Sequence, residues 1–348
     1  MVSDNQLRSD IGRLLWIGFE GTDVGPDLES TLRAGDAGGV TVFRRNIAGA
    51  ASGGDADLAA LRSLNSSLHE HGGACGDKLL ISVDQEGGRV QRIKAPAEHY
   101  PPMLSLASLP DAEAVAKASD LGFAMAEELV SWGFDIDFAP VLDVHTNEAN
   151  PIIGDRAFGE EPAAAALRAL AFARGLQRGG ILSCGKHFPG HGDTATDSHL
   201  SLPRLDHPME RLRQIELYPF VCAIEAKLPM IMTAHVVFAA LDKSVPATLS
   251  RPVITGLLRE ELGYQGVVVS DDLDMKAIAD NFGVGEAAVA AIEAGCDVLL
   301  LCRNRDHQEE ARSALHKAAS ESADFRQRVG ESAARVRALR ANPVEPQA

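Results

Sequence analysis

The sequence predicts one α/β domain closed into a TIM-type (β/α)8 barrel. Eight short runs rich in Val, Ile and Leu recur along the chain, helical patterns separate most of them, and charged residues sit at the C-terminal ends of several. The runs are RLLWIGFEG (13–21), GGVTVFR (38–44), KLLISVDQE (78–86), FDIDFAPVLDV (134–144), ILSCGKHFP (181–189), PMIMTAH (229–235), GVVVSDDL (266–273) and DVLLLC (297–302). Several lack polar alternation, which suits strands buried on both faces. The clearest helical patterns cover 111–133, 160–180, 208–227, 251–263 and 285–295, and many end in Gly, a usual C-terminal stop. A closing helix is expected over 324–341, so the barrel domain spans 1–341 and 342–348 is a frayed tail. A doubly wound sheet is the alternative. Its GxGxxG fingerprint is missing, because GFEGTDVG has other spacing. There is no P-loop, no zinc-type CxxC pair and no HExxH.

The chain of 348 residues is 45% hydrophobic, enough for a large core. Its net charge of −16 argues against nucleic acid and anionic membrane as partners, since both need basic surface. Five cysteines, an odd number without a CxxC, read as free thiols in a reducing compartment. The N-terminus has no apolar signal core, and no run reaches the length of a membrane span. A cytoplasmic location is the expectation.

In such a barrel, chemistry happens at the C-terminal ends of the strands. The third run ends in Asp84, then Gln85, Glu86, two glycines, Arg89 and Arg92. The fourth carries Asp137 and Asp143, the fifth ends in Lys186 and His187, the sixth in His235, and the seventh in Asp271 and Asp272. Five strands directing charge the same way imply a polar pocket around one ligand. Asp84 is read as functional, because the glycines after it let backbone approach a ligand. Lys186 and His187 end a buried strand, so at least one should face the mouth. Asp271 and Asp272 are adjacent and face opposite sides of an extended end; one is chemical and the other structural. Asp274 reads as a cap or surface residue. Asp137 and Asp143 stay open between buried structural groups and supports of the site. His235 stays open between ligand contact and satisfied core histidine. His191 and Asp193 flank Gly192 in a tight loop, where shaping competes with catalysis.

The stretch KHFPGHGDTATDSH (186–199) concentrates His187, His191, His199, Asp193 and Asp197. Zinc or iron ligation is one reading, and a metal-dependent hydrolase the corresponding function. Mononuclear barrel hydrolases usually begin their ligand set with an HxH on the first strand, and RLLWIGFEG has none. The pair Asp197-x-His199 suggests instead a carboxylate that fixes an imidazole tautomer and tunes a proton donor. With Asp271 as a separate nucleophile, this is the logic of a glycosidase.

The residues resemble glycoside hydrolase family 3, and within it the single-domain bacterial β-N-acetylglucosaminidases. The matching stretches are FEGT (19–22), DQEGGRVQR (84–92), FAPVLDV (138–144), IIGDRAFG (152–159), KHFPGHGDTATDSH (186–199), TAHV (233–236) and GVVVSDDLDM (266–275), in family order over nearly the whole chain. The resemblance implies Asp271 as nucleophile and His199 as acid/base with Asp197 as its partner. It implies that Asp84, Arg92, Arg156, Lys186 and His187 hold the sugar hydroxyls. It implies no cofactor and a small GlcNAc-containing carbohydrate as the ligand; a monomer without a metal ion is the expectation. GlcNAc linked to anhydro-N-acetylmuramic acid, from cell-wall recycling, is the expected substrate. β-Glucosidase and phosphorylase activities are alternatives on the same scaffold. The family's β-glucosidases usually take a glutamate acid/base from a second domain, and DSH in a chain of this length favours the glucosaminidase.

Overall fold

A computed structural model of the chain describes residues 4–72, 78–195 and 202–341. Eight parallel strands close into a barrel. They are β1 (Leu15–Ile17), β2 (Gly39–Val42), β3 (Leu80–Val83), β4 (Ile136–Asp137), β5 (Leu182–Phe188), β6 (Met230–Thr233), β7 (Val267–Asp272) and β8 (Val298–Leu301). Each pairs with its neighbour in sequence, and β8 returns to β1 through Leu15–Leu299, Trp16–Leu300 and Ile17–Leu301. Every one of the eight apolar runs therefore supplies one barrel strand.

The lack of alternation in those runs follows from two cores. Trp16, Leu80, Ile136, Leu182, Met230, Val267 and Val298 fill the barrel centre. Val40, Ile81, Val83, Ile231, Val268 and Leu299 join the larger cluster formed with the surrounding helices. Both faces of a strand are thus dry. The Trp16 indole claims much of the centre beside Gly39, where a Cβ would come within 2.6 Å of the ring. Only glycine permits that approach.

The fourth run contributes only two residues to the ladder. Pro140 has no N–H to donate, so the chain continues along β5 irregularly, through Cys184 N–H to the Ala139 carbonyl (2.8 Å) and Leu142 N–H to the Lys186 carbonyl (2.6 Å). The helices Asp111–Ser131, Pro162–Arg178, Val284–Ala294 and Ala323–Ala341 lie where the patterns placed them. The expected helix over 208–227 is corrected: it is two helices, Met209–Gln214 and Tyr218–Glu225. Pro219 suits the first turn of a helix but not its middle, so a second helix starts there. The segment Pro252–Glu261 winds with wide, π-type turns. Further helices span Asp4–Leu14, Pro26–Ala34, Leu58–Gly72, Lys276–Phe282 and Arg305–Glu321, and Arg204–Leu205 pairs with Val237–Phe238 outside the barrel.

The end of the barrel opposite the mouth is locked by Asp297, which is fully buried. Its carboxylate accepts from the Val268 N–H (3.0 Å), Arg259 (2.5 Å), Arg328 (3.0 Å), Ser332 (2.9 Å) and Arg335 (3.2 Å). Three of these donors come from the closing helix, so one carboxylate ties that helix to the barrel. Among the described residues no helix is long and apolar enough to cross a membrane. The tail, 342–348, lies outside the described residues.

Candidate active site

The C-terminal ends of the strands surround a pocket of about 270 Å³. After β3 the chain makes a tight hairpin, with Gln85–Gly87 antiparallel to Val90–Gln91. Gly87 (φ 93°) and Gly88 (φ 56°) make the turn, and a Cβ on Gly87 would meet the Pro101 carbonyl at 2.7 Å. The Gln85 amide clamps the hairpin by bonding the Ile93 carbonyl and N–H (3.0 and 3.1 Å). The turn returns Arg92 to Asp84, at 2.9 Å.

Lys186, on β5, donates to Asp84 (2.9 Å) and reaches Glu86 (2.5 Å). Arg156, from the loop after β4, grips Glu86 with two parallel bonds of 2.7 and 2.8 Å. Burial pushes both carboxyls up, but Lys186 and Arg92 outweigh it and hold Asp84 far below the usual carboxylate range. In the same way Arg156 and Lys186 outweigh burial and hold Glu86 at about 2. Burial would lower the Lys186 ammonium, yet Asp84 and Glu86 raise it. All of these groups therefore stay ionised near neutrality. They form a pre-set array of charge-assisted donors and acceptors, suited to a ligand dense in hydroxyls.

His187 is held by Asp143, whose Oδ2 lies 2.7 Å from the ring Nδ1. The other oxygen of Asp143 accepts the backbone N–H groups of His187 (3.1 Å) and His191 (2.6 Å). One carboxylate thus orients a ring and starts the histidine loop. His191 Nδ1 lies 2.7 Å from Thr194 Oγ1, and the ring also walls the pocket. Burial and the neighbouring His187 lower its pKa to about 4, so it is neutral at ordinary pH. Asp193 shapes the loop: it accepts from Thr146 (2.8 Å) and contacts His207 (2.5 Å) and Arg211 (3.3 Å).

The register between β7 and β8 slips between Val269 and Asp272. Across the slip, Ser270 Oγ takes the Leu300 N–H (3.0 Å) and Asp272 Oδ1 takes the Cys302 and Asp274 N–H groups (3.0 and 3.1 Å). Asp272 is therefore the structural member of the pair. Asp271 lines the pocket, with one oxygen accepting the Asp272 N–H at 2.7 Å. Such irregularities commonly re-aim a side chain beside a site. Burial raises Asp272 to about 7, with Asp274 and Asp271 adding to it. Asp274 is a cap, taking the Arg303 and Asn304 N–H groups ahead of the helix Arg305–Glu321.

Asp84, Arg92, Arg156, Lys186, His187 and Asp271 thus converge on one pocket. Asp197 and His199 lie outside the described residues. His235 is a satisfied core histidine, between Thr248 Oγ1 (2.8 Å) and the Asp272 carbonyl (3.0 Å). Asp137 supports the Asp84 hairpin from below by accepting the Gln85 N–H (2.9 Å), and burial drives its carboxyl well above the usual range. Among the described residues no group of three His, Cys, Asp or Glu is placed to hold a metal ion. The residue that sequence reasoning passed over is Glu86. A signal was available, because i and i+2 of an extended segment face the same side and Asp84 was already read as functional.

A closed (β/α)8 barrel with paired charges around a pocket at the C-terminal ends of its strands has the layout of a barrel enzyme acting on a polar ligand. The description "Glycosyl hydrolase family 3 N terminal domain" matches residues 6–339, and the chain belongs to that family. It is 41% identical over 293 residues to a β-hexosaminidase of Alkalilimnicola ehrlichii, covering 83% of this chain and 80% of that protein. A β-hexosaminidase of Pseudomonas aeruginosa is 38% identical over 306 residues, with 87% and 86% covered. Among solved structures, a family 3 β-N-acetylglucosaminidase from Paenibacillus sp. str. FPU-7 superposes with TM-score 0.89 at 38% identity. That match covers 96% of this chain but 62% of the Paenibacillus chain. NagZ from Neisseria gonorrhoeae, in complex with N-trifluoroacetyl-D-glucosamine, gives TM-score 0.76 at 30% identity, with 93% and 98% covered.

Proposed function

We propose that the chain is a retaining exo-β-N-acetylglucosaminidase that removes terminal β-linked GlcNAc. The observation that carries the reading is the position of Asp271: it lines the same pocket as Asp84, Lys186 and Arg92, while the carboxylate of its neighbour Asp272 is occupied by the Cys302 and Asp274 N–H groups. The hexosaminidase relatives at 38–41% identity supply the sugar.

In this reading Asp84, Lys186, Arg92, Arg156 and His187 hold the hydroxyls of the non-reducing sugar. Asp271 attacks the anomeric carbon and forms a glycosyl ester while His199, tuned by Asp197, protonates the departing oxygen. His199 then removes a proton from water, which breaks the ester and restores the β-anomer. Because the donor is a histidine, the spacing rule for two carboxyl groups does not apply. The Asp271 carboxylate faces the positive charge that develops at the anomeric carbon, and the pre-set array follows the shifting hydroxyl contacts of the transition state without reorganising. The substrate of this reading is a GlcNAc–anhydro-N-acetylmuramic acid fragment from cell-wall recycling, met by a monomer in the cytoplasm.

The test is trapping with a fluorinated β-GlcNAc donor followed by peptide mapping. A label on Asp271, together with loss of turnover in Asp271→Ala, is the expected result. A label elsewhere, or normal turnover of Asp271→Ala, overturns the assignment.

A further inference from the structure

Five Lys and Arg side chains line the catalytic pocket, and four of them are matched by a carboxylate. Arg89 pairs with Asp155 (2.8 Å), Arg92 with Asp84 (2.9 Å), Arg156 with Glu86 (2.7 Å), and Lys186 with Asp84 (2.9 Å) and Glu86 (2.5 Å). The fifth is Arg303, directly after β8. Among the described residues its guanidinium makes no ion pair. Its position is nonetheless fixed, since its backbone N–H is held by Asp274 Oδ2 at 2.7 Å. The backbone is anchored and the charge is exposed.

Arg303 also lines a second cavity, of about 300 Å³, that adjoins the first. Phe19, Gly25 and Leu28 form part of its wall. The other charges there are matched among themselves: Glu20 with Arg45 (2.9 Å), and Asp27 with Arg305. Among the described residues Arg303 is thus an unmatched cation between the sugar pocket and an adjoining space with apolar walls.

N-Acetylglucosamine carries no charge, so the sugar being cleaved off has no use for it. An anion that meets Arg303 must be on the other side of the scissile bond. We propose that Arg303 is a specificity determinant that recognises a carboxylate on the leaving group, seated where the two cavities meet. This rests on the glucosaminidase reading above, whose muramic acid leaving group carries a carboxyl, and assigns the residue that meets it. The bond is an exposed charge-assisted one, so its effect is modest and falls with salt.

The experiment compares kcat/KM for two disaccharides. One is β-GlcNAc linked 1,4 to N-acetylmuramic acid; the other is the same compound with its lactyl carboxyl converted to a primary amide. The wild-type enzyme should prefer the acid by about three- to tenfold at low ionic strength, and added NaCl should shrink that preference. In Arg303→Gln the acid-to-amide ratio should fall to about one, and Arg303→Lys should keep part of it. Equal cleavage of acid and amide by the wild type overturns the proposal, as does a preference that survives in Arg303→Gln. Failure of the wild type on both disaccharides and on 4-nitrophenyl β-GlcNAc removes the glucosaminidase reading itself. Turnover of all three without an acid preference removes only the role of Arg303.

Discussion

Glu86→Gln tests whether the charged array is a working part of the site. The substitution keeps shape and removes one charge. Glu86 is 3% exposed and serves Arg156 through two bonds and Lys186 through a third contact. The local set changes from three cations facing two carboxylates to three facing one. Breaking one side of a buried ion pair costs about 3–5 kcal/mol. The retained glutamine carbonyl puts the expected loss at the lower end, about 3 kcal/mol. For a chain of 348 residues the unfolding entropy is about 0.7 kcal/mol/K, so Tm should drop by about 4 °C. Lys186 and Arg156 would also shift, and a displacement of about 1 Å near reacting groups costs on the order of 10²-fold in rate. The assay is kcat/KM on 4-nitrophenyl β-GlcNAc beside thermal unfolding of the same samples. A double-mutant cycle with Arg156→Gln should show coupling above about 1 kcal/mol in unfolding. A Glu86→Gln enzyme within about 1 °C in Tm and twofold in kcat/KM would refute the argument, because a charge so placed cannot be both buried and idle.

Three further outcomes are expected. His199→Ala should slow unactivated leaving groups by about 10²–10⁴-fold and a dinitrophenyl glycoside far less; equal slowing of both removes the proton-donor role. Asp272 has its pKa raised from 3.8 to about 7, so its contribution to stability is full below pH ~4 and is lost as pH rises through ~7. Asp272→Asn keeps an acceptor for the Cys302 and Asp274 N–H groups but does not titrate, so between pH 4 and 8 its stability relative to wild type should rise by a few kcal/mol. Parallel Tm curves across that range would contradict the shift. Asp297→Ala should cost about 3–5 kcal/mol, because it strands Arg259, Arg328 and Arg335 at the closed end. Folded enzyme should keep kcat/KM within about twofold, and a Tm change under about 1 °C would show that the lock is not needed.

The barrel was legible because its cause is local. Strands buried on both faces leave a run of Val, Ile and Leu with no alternation, and each of the eight runs became a strand. The helix Arg305–Glu321 was passed over for the opposite reason. Its buried side is only Ala311, Leu315 and Ala319, three small or medium residues four apart in a charged sequence. The break at residues 215–217 was signalled by Pro219, but the apolar pattern runs through it and hides it.

The site divides along the same line. Residue type and position at strand ends identified Asp84, Lys186, His187 and Asp271, because chain connectivity alone puts strand ends at the mouth of a barrel. Arg92 and Arg156 were named through the family resemblance. Residue type left Asp271 and Asp272 undivided and the family resemblance named Asp271; the hydrogen bonds that make Asp272 a structural group come from the slip between β7 and β8, a relation between two strands that leaves no mark in either one. Glu86 and Asp143 gained their parts only when Arg156, Lys186 and His187, distant in sequence, folded against them. The sequence by itself determined the architecture and which residues could do chemistry, since burial pattern and residue type are written along the chain. The tertiary structure alone decided which charges neutralise one another and which, like that of Arg303 among the described residues, are left over, because ion pairing depends on distances of a few ångströms between segments that only folding brings together.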